Sequence, residues 1–129
     1  MRPDTIVRRA LGLSVPFNLA AACVLGFPRS ALGQFAHVPA EVPPLYRALV
    51  ALFLALFAGA YAWLCVQKEI DRAFVAFAAI GKSLAVLALV TLWLEGVGPA
   101  PVAAASMGDL VLAAIFSWWL ISQRQTARQ

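Results

Sequence analysis

The chain has 129 residues, enough for one domain, but only 12% of them are charged and 63% are hydrophobic. Soluble domains carry about 25% charged residues, and so few charges could not cover the water-facing surface of a chain this small. The net charge of +4 does not indicate nucleic acid, because the basic residues are dispersed and gather at the ends of apolar stretches. There they act as topology determinants rather than as a phosphate-binding face.

Mean hydropathy is +0.85, and four stretches meet the ~20-residue requirement of a membrane-spanning helix. The first runs from about Ala10 to Phe27, after Arg8 and Arg9, and stops at Pro28. The second runs from about Leu45 to Val66, opened by Pro43 and Pro44 and closed by the run Lys68-Glu69-Ile70-Asp71-Arg72. The third, about Ala73 to Leu94, ends at Glu95-Gly96-Val97-Gly98-Pro99. The fourth starts at about Pro101, a residue suited to a first helical turn, and ends at Ile121 before Gln123-Arg124-Gln125. The Ala/Leu runs lack the period-two alternation of a membrane barrel. Short connections at 67–72 and 95–100 make sequential helices antiparallel neighbours, so the expected fold is all-α, a single antiparallel four-transmembrane-helix bundle.

Orientation follows from Lys and Arg. With the N-terminus inside, cytoplasmic segments carry Arg2, Arg8, Arg9, Lys68, Arg72, Arg124 and Arg128, against Arg29 and Arg47 outside. The positive-inside rule then predicts N-in and C-in, with the long connection 28–44 outside. In a bacterium this is the inner membrane. Arg8-Arg9, the apolar run and Ala31-Leu32-Gly33 also fit a cleaved signal peptide. The run is longer than a usual signal core and contains Pro16 and Asn18, so retention as a span is expected; Pro16 is expected to kink it.

The outer connection holds Phe27, Phe35, Val38 and Leu45 among prolines, as an amphipathic segment at the interface would. It also holds His37, the only histidine, which reads as an interfacial loop residue whose one nearby metal or proton partner is Glu41. Cys23 and Cys65 form no CxxC or Cys/His metal pattern. Their depths differ by roughly 20 Å, far beyond the about 4.4–6.8 Å that a disulfide allows.

Three polar residues carry the most information. Asn18 lies about ten residues from the start of the first span, Lys82 about ten from the inner end of the third, and Asp109 about twelve from the inner end of the fourth. At 1.5 Å per residue these are roughly 15, 15 and 18 Å from the cytoplasmic face, near the middle of a ~30 Å hydrocarbon layer. A charge there costs about 2.5–3.5 kcal/mol, so Lys82 and Asp109 are expected to pair. Arg47 is a competing outer partner for Asp109.

Helical spacing places Ser14, Asn18 and Ala22 on one face of the first span, and Ala78, Lys82, Ala85 and Leu89 on one face of the third. Ser106, Asp109, Ala113 and Ser117 share a face of the fourth. Ala48, Ala51, Ala55, Gly59 and Ala62 form an uncharged small stripe on the second. Small stripes let membrane helices approach, so each is expected to face the bundle axis while Phe, Leu and Trp face lipid. Trp93, Trp118 and Trp119 fall near span ends as interfacial anchors do. Trp63 and Tyr61 lie near the inner end of the second span. Ile80-Gly81-Lys82-Ser83 shares residues with the end of a phosphate loop, but lacks the earlier glycine and the preceding strand, and lies mid-membrane. No complete catalytic, metal-binding or nucleotide-binding constellation is present.

Leu45-Tyr46-Arg47 opening the second span, Gly59-Ala60-Tyr61 closing it, the charged turn to Arg72, Gly81-Lys82 and Gly108-Asp109 together resemble the small bacterial four-helix DoxX-like membrane proteins. The resemblance implies at most an accessory role in a quinone-linked membrane oxidoreductase. Two readings follow. In the first, the chain is a non-enzymatic accessory or scaffold subunit without cofactor, working in the lipid bilayer in a larger complex or homo-oligomer. In the second, it binds a lipophilic small molecule such as a quinone beside Asn18, Lys82 and Asp109.

Overall fold

A computed structural model describes residues 3–126, with side chains described through Arg124. Five helices follow in chain order: α1 (Pro3–Gly26), α2 (Ala31–Phe35), α3 (Pro44–Val66), α4 (Arg72–Leu94) and α5 (Ala100–Thr126). Arg2 and Arg128, which enter the orientation count, lie outside the described residues.

Local chemistry sets the helix ends. The Asp71 side chain caps α4, accepting from the backbone N–H groups of Ala73 and Phe74 at 2.8 and 3.2 Å, which satisfies donors that have no partner within the helix. At the other end Gly96, at φ 74°, takes the left-handed turn that glycine allows. Its N–H donates to Trp93 and that of Val97 to Leu92, the double bond of a Schellman stop. Pro44 opens α3, and α1 continues through Pro16. Ser30 caps the short α2 by accepting from Gly33. Leu32 and Phe35 of α2 are exposed.

Four helices are long and apolar enough to cross a membrane. At most 28% of each apolar window is buried within the protein, and the outward faces carry Leu52, Phe53, Leu56, Ile80, Leu84 and Leu87. Apolar patches of this extent are not sustained in water. The chain is a multi-pass membrane protein.

α1 packs closely against α3, α4 packs closely against α5, and α1 touches α5. The consecutive helices α3 and α4 are neighbours, as expected, but they are not closely packed. Their backbones stand apart, and they meet through rings: Phe57 stacks on Phe77 at 6.0 Å and Tyr61 meets Phe74 edge-on at 5.9 Å. Aromatic side chains on both helices hold the axes away from each other.

The core lies towards the end of the bundle that holds the start of α1. Val7, Leu11, Val75 and Phe116 are fully buried there, with Leu64, Leu112 and Trp119 beside them. Hydrogen bonds tie this end together. The Arg8 guanidinium donates to the carbonyls of Cys65 (2.9 Å) and Lys68 (2.7 Å) at the end of α3, where carbonyls lack partners and a positive charge is favoured. One turn earlier, Asp4 accepts from Trp119 Nε1 at 2.8 Å and from Gln123 at 3.1 Å. These contacts explain why α1 starts seven residues before, and α5 ends five residues after, the apolar stretches at about 10–27 and 101–121.

Three expectations about faces need correction. Trp119 is 3% exposed and bonded to Asp4, so it is a core residue and not an anchor, whereas Trp63, Trp93 and Trp118 are exposed. Leu11, Leu64, Leu112 and Phe116 face inward, against the expectation that Leu and Phe face lipid. The α3 stripe is also reversed: Ala48, Ala55, Gly59 and Ala62 are exposed, with only Ala51 half-buried, while Ala58, Tyr61 and Leu64 are buried. At this seam α1 offers glycines to α3: a Cβ at Gly12 would stand 3.7 Å from Cys65 Sγ, and one at Gly26 3.0 Å from the Ala51 Cβ. Both cysteines are free, Cys23 exposed and Cys65 donating to the Arg8 carbonyl at 3.4 Å.

Arg8→Met keeps the aliphatic stem but removes both bonds to α3. Hydrogen bonds to charged groups contribute about 1.5–3 kcal/mol. Titration unfolding in mixed micelles should show a loss in that range, and an unchanged midpoint would mean that Arg8 does not hold this end.

Candidate functional site

Lys82, Asp109 and Asn18 come from three different helices, and the structure gathers them at one level. Lys82 lies ten residues into α4, about 15 Å along its axis. Its Nζ forms an ion pair and hydrogen bond with Asp109 Oδ1 of α5. Lys82 is 5% exposed and the Asp109 side chain 19%, so neither charge is hydrated as it would be at a surface. Aromatic faces provide the remaining environment of the ammonium: its Nζ lies 5.2 Å from the Tyr61 ring centre and 5.9 Å from that of Phe17, both within cation–π range. The pair joins α4 to α5. Arg47 takes no part in it, and its Nε is buried without a hydrogen-bond partner.

Phe17 reaches this position because residue 108 is glycine. A Cβ there would stand 2.7 Å from the Phe17 ring, so any larger residue would push the ring away from the ammonium. Gly108 thus acts through Phe17 on Lys82, one residue before the partner carboxylate.

A cavity of about 180 Å³ adjoins the pair, lined by Asn18, Leu54, Phe57, Tyr61, Phe77, Gly81, Lys82, Ala85 and Asp109. It occupies the space left where α3 and α4 stand apart. Asn18 is 6% exposed, and among the described residues its amide makes no side-chain hydrogen bond. The buried hydroxyls of the spans are satisfied locally: Ser14 donates to the Ala10 carbonyl at 2.9 Å and Ser106 to that of Ala103 at 2.6 Å. Asn18 lines this apolar void with an amide that keeps accessible surface there and has no partner among the described residues. Lys82 also has donor capacity beyond its bond to Asp109, since an ammonium carries three donors.

The polar residues therefore converge as the sequence suggests, but not all the rings that complete the site follow from it. Phe77 is exposed, as expected of a lipid-facing ring, whereas Phe17 and Phe57 are half-buried and Tyr61 is buried. One available signal is the spacing of Phe57 and Tyr61 by four, and of Phe77, Gly81 and Ala85 by four, each giving one helical face. Among the small stripes, Ser14, Asn18, Ala22, Ala78, Lys82, Ser106 and Ala113 are buried, while Ala85 and Ser117 are exposed and Leu89 is half-buried. His37, at φ 53°, lies in the connection between α2 and α3, and the described residues contain no group of three or more His, Cys, Asp or Glu able to hold a metal.

No family model, curated protein or solved structure matches the chain.

Two stability measurements test this geometry. Lys82→Met or Asp109→Leu alone leaves one charge uncompensated and should cost about 3–5 kcal/mol, whereas the double variant should regain most of that loss. Additive single effects in the double-mutant cycle would contradict the pairing. Gly108→Ala should cost about 1–3 kcal/mol through overpacking, and much less in a Phe17→Leu background; equal costs in both backgrounds would show that the ring is not what the glycine accommodates.

Proposed function

We propose that this protein is a non-catalytic accessory or scaffold subunit of the bacterial inner membrane, both termini cytoplasmic, that holds the polar head of a lipophilic small molecule in its midplane cavity. The observation that carries the binding role is the Asn18 amide, which has no hydrogen-bond partner among the described residues and lines a void of about 180 Å³. For scale, a cavity of about 150 Å³ in a protein core accepts benzene, so a six-membered ring fits this space by volume. Natural sites of this kind are apolar with a few convergent polar groups. Here Leu54, Phe57 and Phe77 supply the apolar walls, and Asn18, Tyr61 and Lys82 the hydrogen-bond donors.

Donors facing a ring-sized apolar slot suit a carbonyl-bearing ring, and a quinone is the natural member of that class in a membrane. The resemblance to DoxX-like proteins agrees with an accessory place in a quinone-linked system. A purely scaffolding role draws support from the pair itself, which joins α4 to α5 at their centres. The cavity and its unpaired amide favour the binding role.

Native mass spectrometry of protein released from lipid nanodiscs, after addition of a benzoquinone with a decyl tail, tests the proposal. Retention is expected, with roughly tenfold lower occupancy for Asn18→Leu, the factor that loss of a hydrogen bond of about 1.4 kcal/mol represents. A ligand-free spectrum for the unaltered protein would remove the binding role.

A further inference from the structure

The cavity wall is unequal from one side to the other. Asn18, Tyr61 and Lys82, at its back, are 6%, 3% and 5% exposed. Phe77, at the front, is 57% exposed, and the neighbouring Gly81 and Ala85 are exposed as well. All three lie on one face of α4, at intervals of four residues. The void therefore opens outward through the α3–α4 seam, the one side of the bundle that rings rather than backbones close.

The depth of that opening decides what can reach it. Gly81 lies nine residues into α4, about 14 Å along the axis, and so within the ~30 Å hydrocarbon layer and not at either surface. A solute dissolved in water does not meet this mouth. A second void, of about 310 Å³, lies on the same seam nearer the charged turn, lined by Ala60, Trp63, Gln67, Glu69, Asp71 and Phe74. Tyr61 and Phe74, in edge contact at 5.9 Å, stand between the two spaces.

We infer that the midplane cavity is loaded sideways from the bilayer through the gap at Phe77, Gly81 and Ala85, and that its occupant is a tailed lipophile whose head meets Asn18 and Lys82 while its tail stays in the lipid. This rests on the binding role proposed above and adds the route and the ligand class. Gly81 is the specificity-determining position. A Cβ built there meets nothing within 4 Å, so the glycine is not required by packing, and its effect is to keep the mouth wide. The Phe57–Phe77 stack borders the same opening and sets the thickness of ring that can slide past. A branched or bulky head is excluded; a flat one enters.

The test compares Gly81→Leu with Ala60→Leu in nanodiscs, using the decyl-tailed benzoquinone and the same ring without the tail. Because open space surrounds residue 81, Gly81→Leu should keep the unfolding midpoint of the unaltered protein; if it does not, Ala85→Phe at the same mouth serves instead. Retention of the tailed quinone should fall about tenfold in the mouth variant and stay unchanged in Ala60→Leu, and the tailless ring should be retained far less by the unaltered protein. Equal retention in the mouth variant and the unaltered protein overturns the lateral route while leaving binding intact. Loss in Ala60→Leu alone also overturns it, in favour of entry from the charged turn. If the unaltered protein retains neither probe, the binding role itself has failed.

Discussion

An ammonium and a carboxylate paired between two apolar spans constrain almost everything around them. Neither Lys82 nor Asp109 can stay charged alone there without a cost of several kcal/mol, so α4 and α5 must present them at the same height. That requirement fixes the register of the two helices. Water does not surround the ammonium as it would at a surface, and the faces of Tyr61 and Phe17 take part of its place. The demand then passes to residue 108, where only a glycine lets the Phe17 ring come close. A single electrostatic contact thus dictates a helix register, two ring positions and one backbone position.

The two ends of the molecule are held by different forces. Where α1 starts, oriented hydrogen bonds join α1 to α3 and α5, and fully buried Val7, Leu11, Val75 and Phe116 fill the space between. Farther along, α3 has few buried residues, and its seam with α4 is closed only by rings. Lipid tails are as apolar as leucine, so no hydrophobic force pulls the two helices together in the bilayer. Helix contact there depends on shape and polar bonds, and at the α3–α4 seam the Phe57–Phe77 and Tyr61–Phe74 rings, not a polar pair, stand between the backbones. A gap at this seam is the physical result, and the candidate site occupies it.

The small-residue stripe of α3 shows the limit of reading faces from spacing. Periodicity identifies which residues share a side of a helix, but in a membrane both the lipid and the protein interior accept small apolar residues. Ala48, Ala55, Gly59 and Ala62 share one side, and that side is exposed. Which side turns inward depended on the fit with α1, whose Val7 and Leu11 share the core with Tyr61 and Leu64. Trp119 misled for a related reason: an indole near a span end suits an interface, but a carboxylate one helix away gave its N–H a partner inside the protein.

The sequence alone determined the membrane as solvent, the four spans, and the common depth of Asn18, Lys82 and Asp109, because these depend on local composition and on the fixed rise of a helix. It also singled out the charged pair, since an unpaired charge at that depth is too costly to stand. Tertiary structure decided which helices approach and which stand apart, which aromatic rings turn inward, and that the leftover space lies beside the pair. Those outcomes depend on how side chains from distant segments fit together, and a linear pattern holds no record of that fit when lipid and protein interior are equally apolar.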